Sequence, residues 1–262
     1  MIRVVVSGTG NMGTTVLSAV ETQDDMEAAG VIEPLGEQGQ HVAASGAVYP
    51  LHADPAALLA ETHPDVVVDF TNAQFTPALV RAALAVGVRP VIGSSGVAAE
   101  TLETLRRGCE EQRLGAVVAP NFALGAVVLM HLAQIAARHF DAAEIIELHH
   151  DGKVDAPSGT ALETALLMRA ARGSDFDHPD PEIEHIEGTR GGAEGGVGIH
   201  SLRLPGLVAH QEVVFGGRAQ TLSLRHDSTG RESFLPGVLL AIREVMQRQE
   251  LVVGLDRLIG LG

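Results

Sequence analysis

The sequence is poor in cysteine, in aromatic residues and in positive charge. Cys109 is the only cysteine of the 262 residues, which excludes an internal disulfide and a cysteine cluster around a metal ion. Aromatic residues make up 3% of the chain and tryptophan is absent, so a surface that stacks nucleic-acid bases is not expected. The 33 acidic residues outnumber the 18 lysines and arginines, and the net charge of −15 argues against general binding to nucleic acid, which requires a basic surface.

Long hydrophobic runs are also missing. No apolar stretch reaches the roughly 18 residues that cross a bilayer. The N-terminus runs from Met1 straight into a strand pattern, without the basic and then apolar layout of a signal peptide. We therefore expect a cytoplasmic protein without membrane association. Because the overall negative charge repels anions, an anionic ligand would need a local group of positive charges and hydrogen-bond donors.

The first half of the chain alternates short aliphatic runs with amphipathic segments. The runs are rich in β-branched residues and read IRVVVSG, AAGVIE, PDVVVDF, RPVIG and GAVVAP. Helical patterns lie between most of them, for example at residues 76–86 and 98–112. This alternation predicts a parallel sheet covered by helices on both faces. Residues 31–55 are less regular and are expected to contain loops.

After Asn121 the pattern changes. The predicted elements are a helix at residues 125–140, a strand at 143–150, a helix from Ser158 to about residue 172, and a final helix at 232–246. Residues 173–198, rich in glycine, proline and acidic residues, are expected to form a mobile connection. Three strand-like runs follow them, IHSLRLPG, VAHQEVVFGG and AQTLSLRHDS, and indicate an antiparallel or mixed sheet. The pattern of the last helix does not decide which half it packs against.

A glycine turn follows the first strand. Gly8, Gly10 and Gly13 form a GxGxxG pattern between that strand and a helix, the context in which this pattern binds a dinucleotide. Gly8 permits the tight turn, Gly10 lets the backbone approach a pyrophosphate, and Gly13 lets helix and strand pack closely. Glu33 ends a later strand, where a carboxylate can accept hydrogen bonds from a ribose diol. The predicted fold is thus α/β, with an N-terminal Rossmann-like dinucleotide-binding domain and an α+β domain whose sheet is mixed or open.

The residues around this turn favour one nicotinamide cofactor. Recognition of NADPH usually recruits a basic side chain for the 2′-phosphate. Here Glu33 is followed by Pro34, and Thr9 and Asn11 in the turn are neutral. We therefore predict a preference for NADH, with NADPH as the alternative cofactor.

A second motif, ELHHDGKVDAPSGTA, begins at Glu147. If the strand continues through His150, His149 and His150 point in opposite directions, so that one serves a reacting centre and the other contacts a different group. Lys153 follows in a loop bent at Gly152, from which its long side chain can return to the same pocket.

The same motif then begins a helix. Ser158 is a plausible N-cap, which leaves the N–H groups of Gly159 and Thr160 free to bind an anion. With the histidines and Lys153, these groups would form a small cationic pocket suited to a carboxylate-bearing substrate next to a hydride donor. Taken singly, a histidine pair is equally a fragment of a metal site or a pair of polar strand residues, and a loop lysine is equally a solvated charge. Zinc is not expected, because further ligands at typical spacing are missing.

The motif ELHHDGKVDAPSGTA closely resembles the signature of the dihydrodipicolinate reductase family of diaminopimelate and lysine biosynthesis. The resemblance extends along nearly the whole chain. GTGNMG resembles the family's cofactor turn, VVDFT its third strand, and VIGSSG its glycine-threonine-threonine-glycine loop with two serines in place of the threonines. APNFALGA resembles the segment that joins the two domains, and HSLRLPGLVAHQEVVFG the sheet of the substrate domain.

The resemblance implies roles for the second motif. His149 would be the acid/base group and Lys153 the second proton donor. The carboxylates of a small cyclic dicarboxylate substrate would be held by His150, Lys153, Ser158, Gly159 and Thr160. The implied reaction is the NAD(P)H-dependent reduction of 4-hydroxy-tetrahydrodipicolinate to tetrahydrodipicolinate with loss of water.

The resemblance also implies a cofactor site, domain boundaries and an assembly. The dinucleotide would be lined by Gly8, Thr9, Gly10, Asn11, Met12, Gly13, Glu33, Phe70, Thr71, Gly93, Ser94, Ser95, Ala119, Pro120, Asn121 and Phe122. The dinucleotide-binding domain would comprise residues 1–125 and 234–262, and the substrate-binding and tetramerisation domain residues 126–233. Members of the family are usually homotetramers assembled through the sheets of the substrate domain.

Two other functions share part of this pattern. A two-domain dehydrogenase of the aspartate or homoserine type would carry the glycine turn but has no need of HHDGKVDAPSGTA. A non-catalytic protein that senses NADH would need no proton donors in its second module. The combination of His149 and Lys153 with the glycine turn therefore favours the reductase.

Overall fold

The computed structural model describes residues 1–179 and 181–261 and divides them into two compact units. The first unit comprises Met1–Leu124 and the chain from Arg231 onward, and the second comprises Gly125–Gly230. None of the helices in the described residues combines the length and the apolar composition of a membrane span.

The first unit is built on an eight-stranded sheet. Its strands are β1 (Ile2–Ser7), β2 (Met26–Ile32), β3 (Gly39–Val42), β4 (Val48–His52), β5 (Val66–Asp69), β6 (Arg89–Ile92), β7 (Ala116–Val118) and β13 (Leu251–Val253). They lie in the order β13-β7-β6-β5-β1-β2-β4-β3, and every pair is parallel except β3 with β4. The parallel sheet predicted from the aliphatic runs is confirmed.

Helices cover both faces of this sheet. They are α1 (Asn11–Glu21), α2 (Pro55–Thr62), α3 (Thr76–Ala85), α4 (Ala99–Gln112), α7 (Leu235–Val245) and the short α8 (Leu255–Leu258). Adjacent residues of β1, Val4, Val5 and Val6, are all fully buried, although their side chains alternate between the two faces. One face packs against α2, α3 and α4 through a core that includes Leu58, Leu79 and Leu105.

Residues 31–55 are more regular than the sequence indicates. The structure places β3 and β4 in this stretch, as an antiparallel pair with Gln40 opposite Pro50. β3 is the edge strand and β4 lies next to it, and most residues of both strands are exposed or half-buried, so they carry no aliphatic run. The expected loops are present at residues 33–38 and 43–47, next to these strands.

The second unit packs two long helices on a five-stranded sheet. The elements are α5 (Leu124–Ala137), β8 (Ala142–His149), α6 (Gly159–Arg172), β9 (Gly192–Glu194), β10 (Val197–Arg203), β11 (Ala209–Gly217) and β12 (Gln220–Ser228). The sheet has the order β12-β11-β8-β10-β9, and only the pair of β8 with β10 is parallel. Its core joins Leu129 and Ala133 of α5, Ala165 and Met168 of α6, and Ile145 of β8.

The glycine-rich stretch 173–198 also contains regular structure. Gly173, in the left-handed region at φ 82°, ends α6, and β9 then pairs with β10 as a short antiparallel hairpin. The connection predicted for residues 173–198 therefore includes strand residues 192–194 and 197–198, and residue 180 of that stretch lies outside the described residues. With a mixed sheet in the second unit and a Rossmann-like sheet in the first, the predicted fold class is confirmed.

Candidate active site

The segments predicted to line a dinucleotide all follow the carboxyl ends of parallel strands. Residues 8–13 follow β1, Glu33 follows β2, residues 70–71 follow β5, residues 93–95 follow β6 and residues 119–122 follow β7. These strand ends are level, because Ser7 is the register partner of both Ile32 and Asp69, Asp69 of Ile92, and Ile92 of Val118. The structure therefore brings all five segments to one edge of the sheet, around the strand where the order reverses, as dinucleotide sites require.

The glycine turn has the geometry of a phosphate site. Gly8 lies at φ +107°, a conformation that side chains rarely adopt, and a Cβ on Gly13 would collide with the carbonyl oxygen of Gly8. Gly10 is the N-cap of α1, and no side chain caps the N–H groups of the first turn. Because free N–H groups and the helix dipole both favour an anion, these residues fit the pyrophosphate of a dinucleotide.

Glu33 lies against this turn. Its Oε2 atom accepts hydrogen bonds from the Thr9 backbone N–H at 2.9 Å and from Thr9 Oγ1 at 2.6 Å. Burial would raise the pKa of Glu33, but the hydrogen bonds from Thr9 and Leu35 outweigh it and hold the pKa below its usual value. A negative carboxylate therefore lies next to the glycine turn at neutral pH.

Asp69, which the sequence analysis did not assign to the site, connects two of the segments. It is fully buried at the end of β5, where its Oδ1 accepts from Thr71 Oγ1 at 2.6 Å. Its Oδ2 accepts from Ser94 Oγ at 3.0 Å and from Thr76 Oγ1 at 2.7 Å. The hydroxyl of Ser94 thus points into the fold. The signal that could have identified Asp69 is a carboxylate that directly ends a fully apolar strand.

The remaining predicted cofactor residues differ in exposure. Phe122 is buried, and its ring packs on that of Phe70 with centroids 5.8 Å apart. Asn121 accepts a hydrogen bond from the Ala123 N–H at 2.9 Å and so fixes the backbone that leads into α5. Gly10, Asn11, Ser95 and Pro120 are exposed.

In the second unit the motif begins inside β8 and leaves it earlier than predicted. The strand ends at His149, and His150 is exposed in the turn that follows, where its carbonyl accepts from the Lys153 N–H at 3.2 Å. The alternation expected for the two histidines therefore does not apply. His149 instead shares a face with Glu147, and its Nδ1 lies 2.5 Å from Glu147 Oε2.

Glu147 is the centre of a buried hydrogen-bonded cluster. Arg203 of β10 donates from Nη1 to Glu147 Oε2 at 2.9 Å and from Nη2 to Oε1 at 2.8 Å. The Ser158 N–H donates to Oε1 at 3.2 Å. Arg203 Nη2 also donates to the carbonyl of Asp155 at 2.7 Å, so the end of β8, the following loop and the start of α6 are held by one ion pair.

The cluster shifts the pKa values of both partners. Burial would raise the pKa of Glu147, but hydrogen bonds from Arg203, Ser201 and His149 hold it below its usual value. Burial lowers the pKa of His149, while the contact with Glu147 acts in the opposite direction. Glu147 is therefore a carboxylate at neutral pH. In the absence of a ligand, the pKa of His149 lies below the usual value of a histidine.

Lys153 is the only lysine in the chain, and all the other basic residues except the histidines are arginines. Its ammonium group lies 2.6 Å from Asp155 Oδ1. Lys153 and Arg203 are thus balanced by Asp155 and Glu147, and the local positive charge is smaller than the sequence suggests. The absence of lysine elsewhere in the sequence singles out Lys153 as a functional residue, independently of the motif in which it lies.

The predicted helix start is present at the expected residue. Ser158 is the N-cap of α6, and its Oγ accepts from the Ala161 N–H at 3.2 Å. The N–H groups of Gly159 and Thr160 belong to the first turn, which has no intrahelical acceptors. Glu147 and Arg203 were not assigned to the site from sequence. Among residues 1–179 and 181–261, no group of three or more metal-ligating side chains occurs.

One unit thus carries a dinucleotide-type glycine turn, and the other carries an acid–base cluster at a helix N-terminus. This combination defines a two-domain, dinucleotide-dependent oxidoreductase. Two family models match the chain, that of the N-terminus of dihydrodipicolinate reductase over residues 2–122 and that of its C-terminus over residues 125–259. The chain therefore belongs to the dihydrodipicolinate reductase family, whose members are NAD(P)H-dependent oxidoreductases.

Individual relatives agree over the full length. A protein of Moorella thermoacetica, named 4-hydroxy-tetrahydrodipicolinate reductase, is 48% identical over 263 residues and covers 98% of each chain. A protein of the same name from Geobacillus kaustophilus is 46% identical, over 98% of this chain and 99% of its own. The solved structure of dipicolinate-bound dihydrodipicolinate reductase from Paenisporosarcina sp. TG-14 superposes with a TM-score of 0.88 at 41% identity, covering 98% and 99% of the two chains. The predicted family is confirmed.

Proposed function

We propose that this chain reduces 4-hydroxy-tetrahydrodipicolinate to tetrahydrodipicolinate with loss of water, in the biosynthesis of diaminopimelate and lysine. The observation that carries the proposal is the cluster at the end of β8, in which His149, Lys153 and the first turn of α6 lie around one buried ion pair. Relatives that carry this reductase's name share more than 40% of their residues with the chain over its full length.

The cluster supplies the proton chemistry. His149 acts as the acid/base group, because imidazole exchanges protons near neutrality and its Nε2 is left free by the contact of Nδ1 with Glu147. Lys153 is the second proton donor. A chain that otherwise uses only arginine retains lysine here, and lysine, unlike arginine, is a side chain that serves as a proton donor in general acid catalysis.

The substrate is a small cyclic dicarboxylate. Its carboxylates are held by His150, Lys153, Ser158, Gly159 and Thr160. The N–H groups at the start of α6 support this assignment, since helix N-termini bind anions. Binding of the dianion adds negative charge near His149 and therefore favours its protonated form.

The first unit binds the dinucleotide, with residues 8–13 on the pyrophosphate and Glu33 on the ribose, and the segments 70–71, 93–95 and 119–122 at the nicotinamide end. When bound, the reduced nicotinamide supplies the hydride. NADH is preferred over NADPH, because the carboxylate of Glu33 next to the turn repels a 2′-phosphate and Pro34 offers no positive charge.

A coupled assay with freshly generated hydroxy-tetrahydrodipicolinate and each cofactor tests the proposed reaction and the preference for NADH. We expect turnover with either cofactor and a higher kcat/KM with NADH. A strong preference for NADPH would contradict the cofactor assignment. Turnover of aspartate or homoserine in place of this substrate would identify a different dehydrogenase, and NADH binding without any turnover would identify a sensor.

The chain also acts in the cytoplasm as a homotetramer assembled through the sheet of the second unit. On β8 one alternate set of residues is buried against the helices, whereas Ile146 and Leu148 of the other set are only half-buried. Light scattering tests the assembly, with an expected mass four times the 27.4 kDa of the chain. A monomer would contradict it.

A further inference from the structure

Glu147 is a carboxylate with an exposed fraction of 0% that has no place in the reaction as described so far. It contacts groups from three parts of the second unit: His149 Nδ1 on its own strand, the guanidinium of Arg203 and the side chain of Ser201 on β10, and the Ser158 N–H before α6. A buried carboxylate is costly unless it is paired and fully hydrogen-bonded, and both conditions are met here.

We propose that Glu147 is a positioning residue for His149, which fixes the orientation and tautomer of its imidazole and stabilises its protonated form. The inference rests on the proposed function, because it takes His149 as the acid/base group of the reaction. Glu147 itself stays ionised and exchanges no proton with the substrate.

The geometry defines which nitrogen of His149 is active. Nδ1 lies 2.5 Å from Glu147 Oε2, so the neutral imidazole carries its hydrogen on Nδ1 and donates it to the carboxylate. Nε2 is then the nitrogen that gains and loses the proton. Without Glu147 the ring could turn about its χ angles and exchange tautomers, and Nε2 would no longer be held in one direction.

Arg203 fixes Glu147 in turn. Its two parallel hydrogen bonds to the carboxylate determine the plane of that group, and another hydrogen bond, to the Asp155 carbonyl, ties it to the loop that carries Lys153. Because the guanidinium keeps the pKa of Glu147 low, a proton added to the pair resides on the imidazole.

The charged groups that face His149 act in opposite directions. Lys153 in the loop and Arg203 on β10 destabilise the imidazolium, as does burial, whereas Glu147 stabilises it. On β11 the register partner of His149 is Ala209, which has no charge. Glu147 is the negative charge in direct contact with the ring, so its removal should lower the pKa of His149.

The test is Glu147→Gln, followed by NMR titration of His149. The resonance of His149 is assigned among the 12 histidines by its loss in His149→Gln. We expect the pKa of His149 to fall by about one unit or more, since a neighbouring opposite charge shifts a pKa by about 1–3 units. The limb of the pH profile of kcat/KM that reports His149 should move to lower pH by the same amount. An unchanged pKa with a uniform loss of activity would overturn the proposal.

Glu144→Gln is the matched control. Glu144 lies on the same strand and also contacts a histidine and an arginine, His200 and Arg190, but it does not contact His149. The titration of His149 should be unchanged in this variant. An equal shift in both variants would reveal a general electrostatic effect and would overturn the specific role of Glu147.

Two further measurements separate this role from folding and from the proposed function. Glu147→Asp retains the charge on a shorter side chain, so the pKa of His149 should remain nearer the wild-type value while kcat falls. Wild-type kcat in Glu147→Asp would overturn the positioning role. If Glu147→Gln does not fold, Glu147→Asp tests the proposal in its place, through kcat. The titration needs no substrate, so a shift in the pKa of His149 in Glu147→Gln, together with a wild-type protein that has no reductase activity, would refute the proposed function and leave the coupling of Glu147 to His149 intact.

Discussion

Strand β8 carries two carboxylates, three residues apart, that each bridge a histidine and an arginine. Glu147 contacts His149 and Arg203, and Glu144 contacts His200 at 2.6 Å and Arg190 at 2.6 Å. Because the spacing is odd, the two side chains lie on opposite faces of the sheet. Glu147 is 0% exposed, and Glu144 is 35% exposed.

The two triads, Glu147 with His149 and Arg203 and Glu144 with His200 and Arg190, contain the same side chains and differ in burial. In both triads hydrogen bonds from the arginine and histidine outweigh the effect of burial and hold the pKa of the carboxylate below its usual value. At Glu144 water can replace a lost partner, so the contacts hold the side chains only loosely. Glu147 has no exposed surface at which water could replace a lost partner, so each partner is needed to compensate the buried charge. We infer that burial makes one triad rigid enough to orient a catalytic ring.

The largest expected effect is on stability. Arg203→Met should lower the free energy of unfolding by about 3–5 kcal/mol, because it leaves a buried carboxylate uncompensated. Arg190→Met, the matched change at the half-exposed triad, should cost about 0–1 kcal/mol. Urea unfolding at pH 7 measures both, with light scattering to establish that the two variants have the same assembly.

A lower pH should reduce the difference in unfolding free energy between Arg203→Met and Arg190→Met. The folded-state pKa of Glu147 is depressed, so its contribution to stability is present above the unfolded value and is lost as the pH falls through the folded value. In Arg203→Met the carboxylate no longer has its main partner and protonates more readily. The gap between the two variants should therefore shrink from pH 7 towards pH 4. Equal losses for the two variants at pH 7 would contradict the assignment of different environments.

The sequence predicts most of the fold but not the edges of its sheets. The strands β1, β5 and β7 are buried and therefore appear as aliphatic runs. By contrast β3 and β9 lie at the edges, where exposed residues carry no hydrophobic pattern. Their formation depends on pairing with a neighbour, which local sequence does not encode.

The site divides in a similar way. Glu147 could have been predicted, because it stands two residues before His149 and a strand places such residues on one face. Arg203 could not, since it follows Glu147 by 56 positions and reaches it only through the parallel register of β10 with β8. The exposure of His150 also depends on where pairing in the sheet stops, and that is a tertiary property.

The histidines of the two triads provide the second test. His149→Gln should lower kcat by about 10²-fold, because it removes a positioned acid/base group. His200→Gln removes the corresponding ring from the half-exposed triad and should leave kcat within about twofold. Steady-state assays with saturating NADH measure both.

The binding of NADH serves as the folding control for this pair, since the proposed dinucleotide site belongs to the first unit and both histidines to the second. Comparable losses of kcat in the two variants, with NADH binding intact, would mean that the buried triad has no special part in the reaction.

The smallest expected effect concerns a third carboxylate, Asp155, which contacts Lys153 at 2.6 Å in the loop after β8. With exposed fractions of 50% for Asp155 and 22% for Lys153, the pair resembles the triad of Glu144 more than that of Glu147. Asp155→Asn should therefore cost less than about 1 kcal/mol of stability. Because Asp155 competes with the substrate carboxylate for the ammonium group, its removal should lower the substrate KM about two- to fivefold, the range that a surface ion pair of this strength can supply. A large rise in KM would instead mean that Asp155 holds Lys153 in the position that binds the substrate, and that this exposed pair acts as the buried one does.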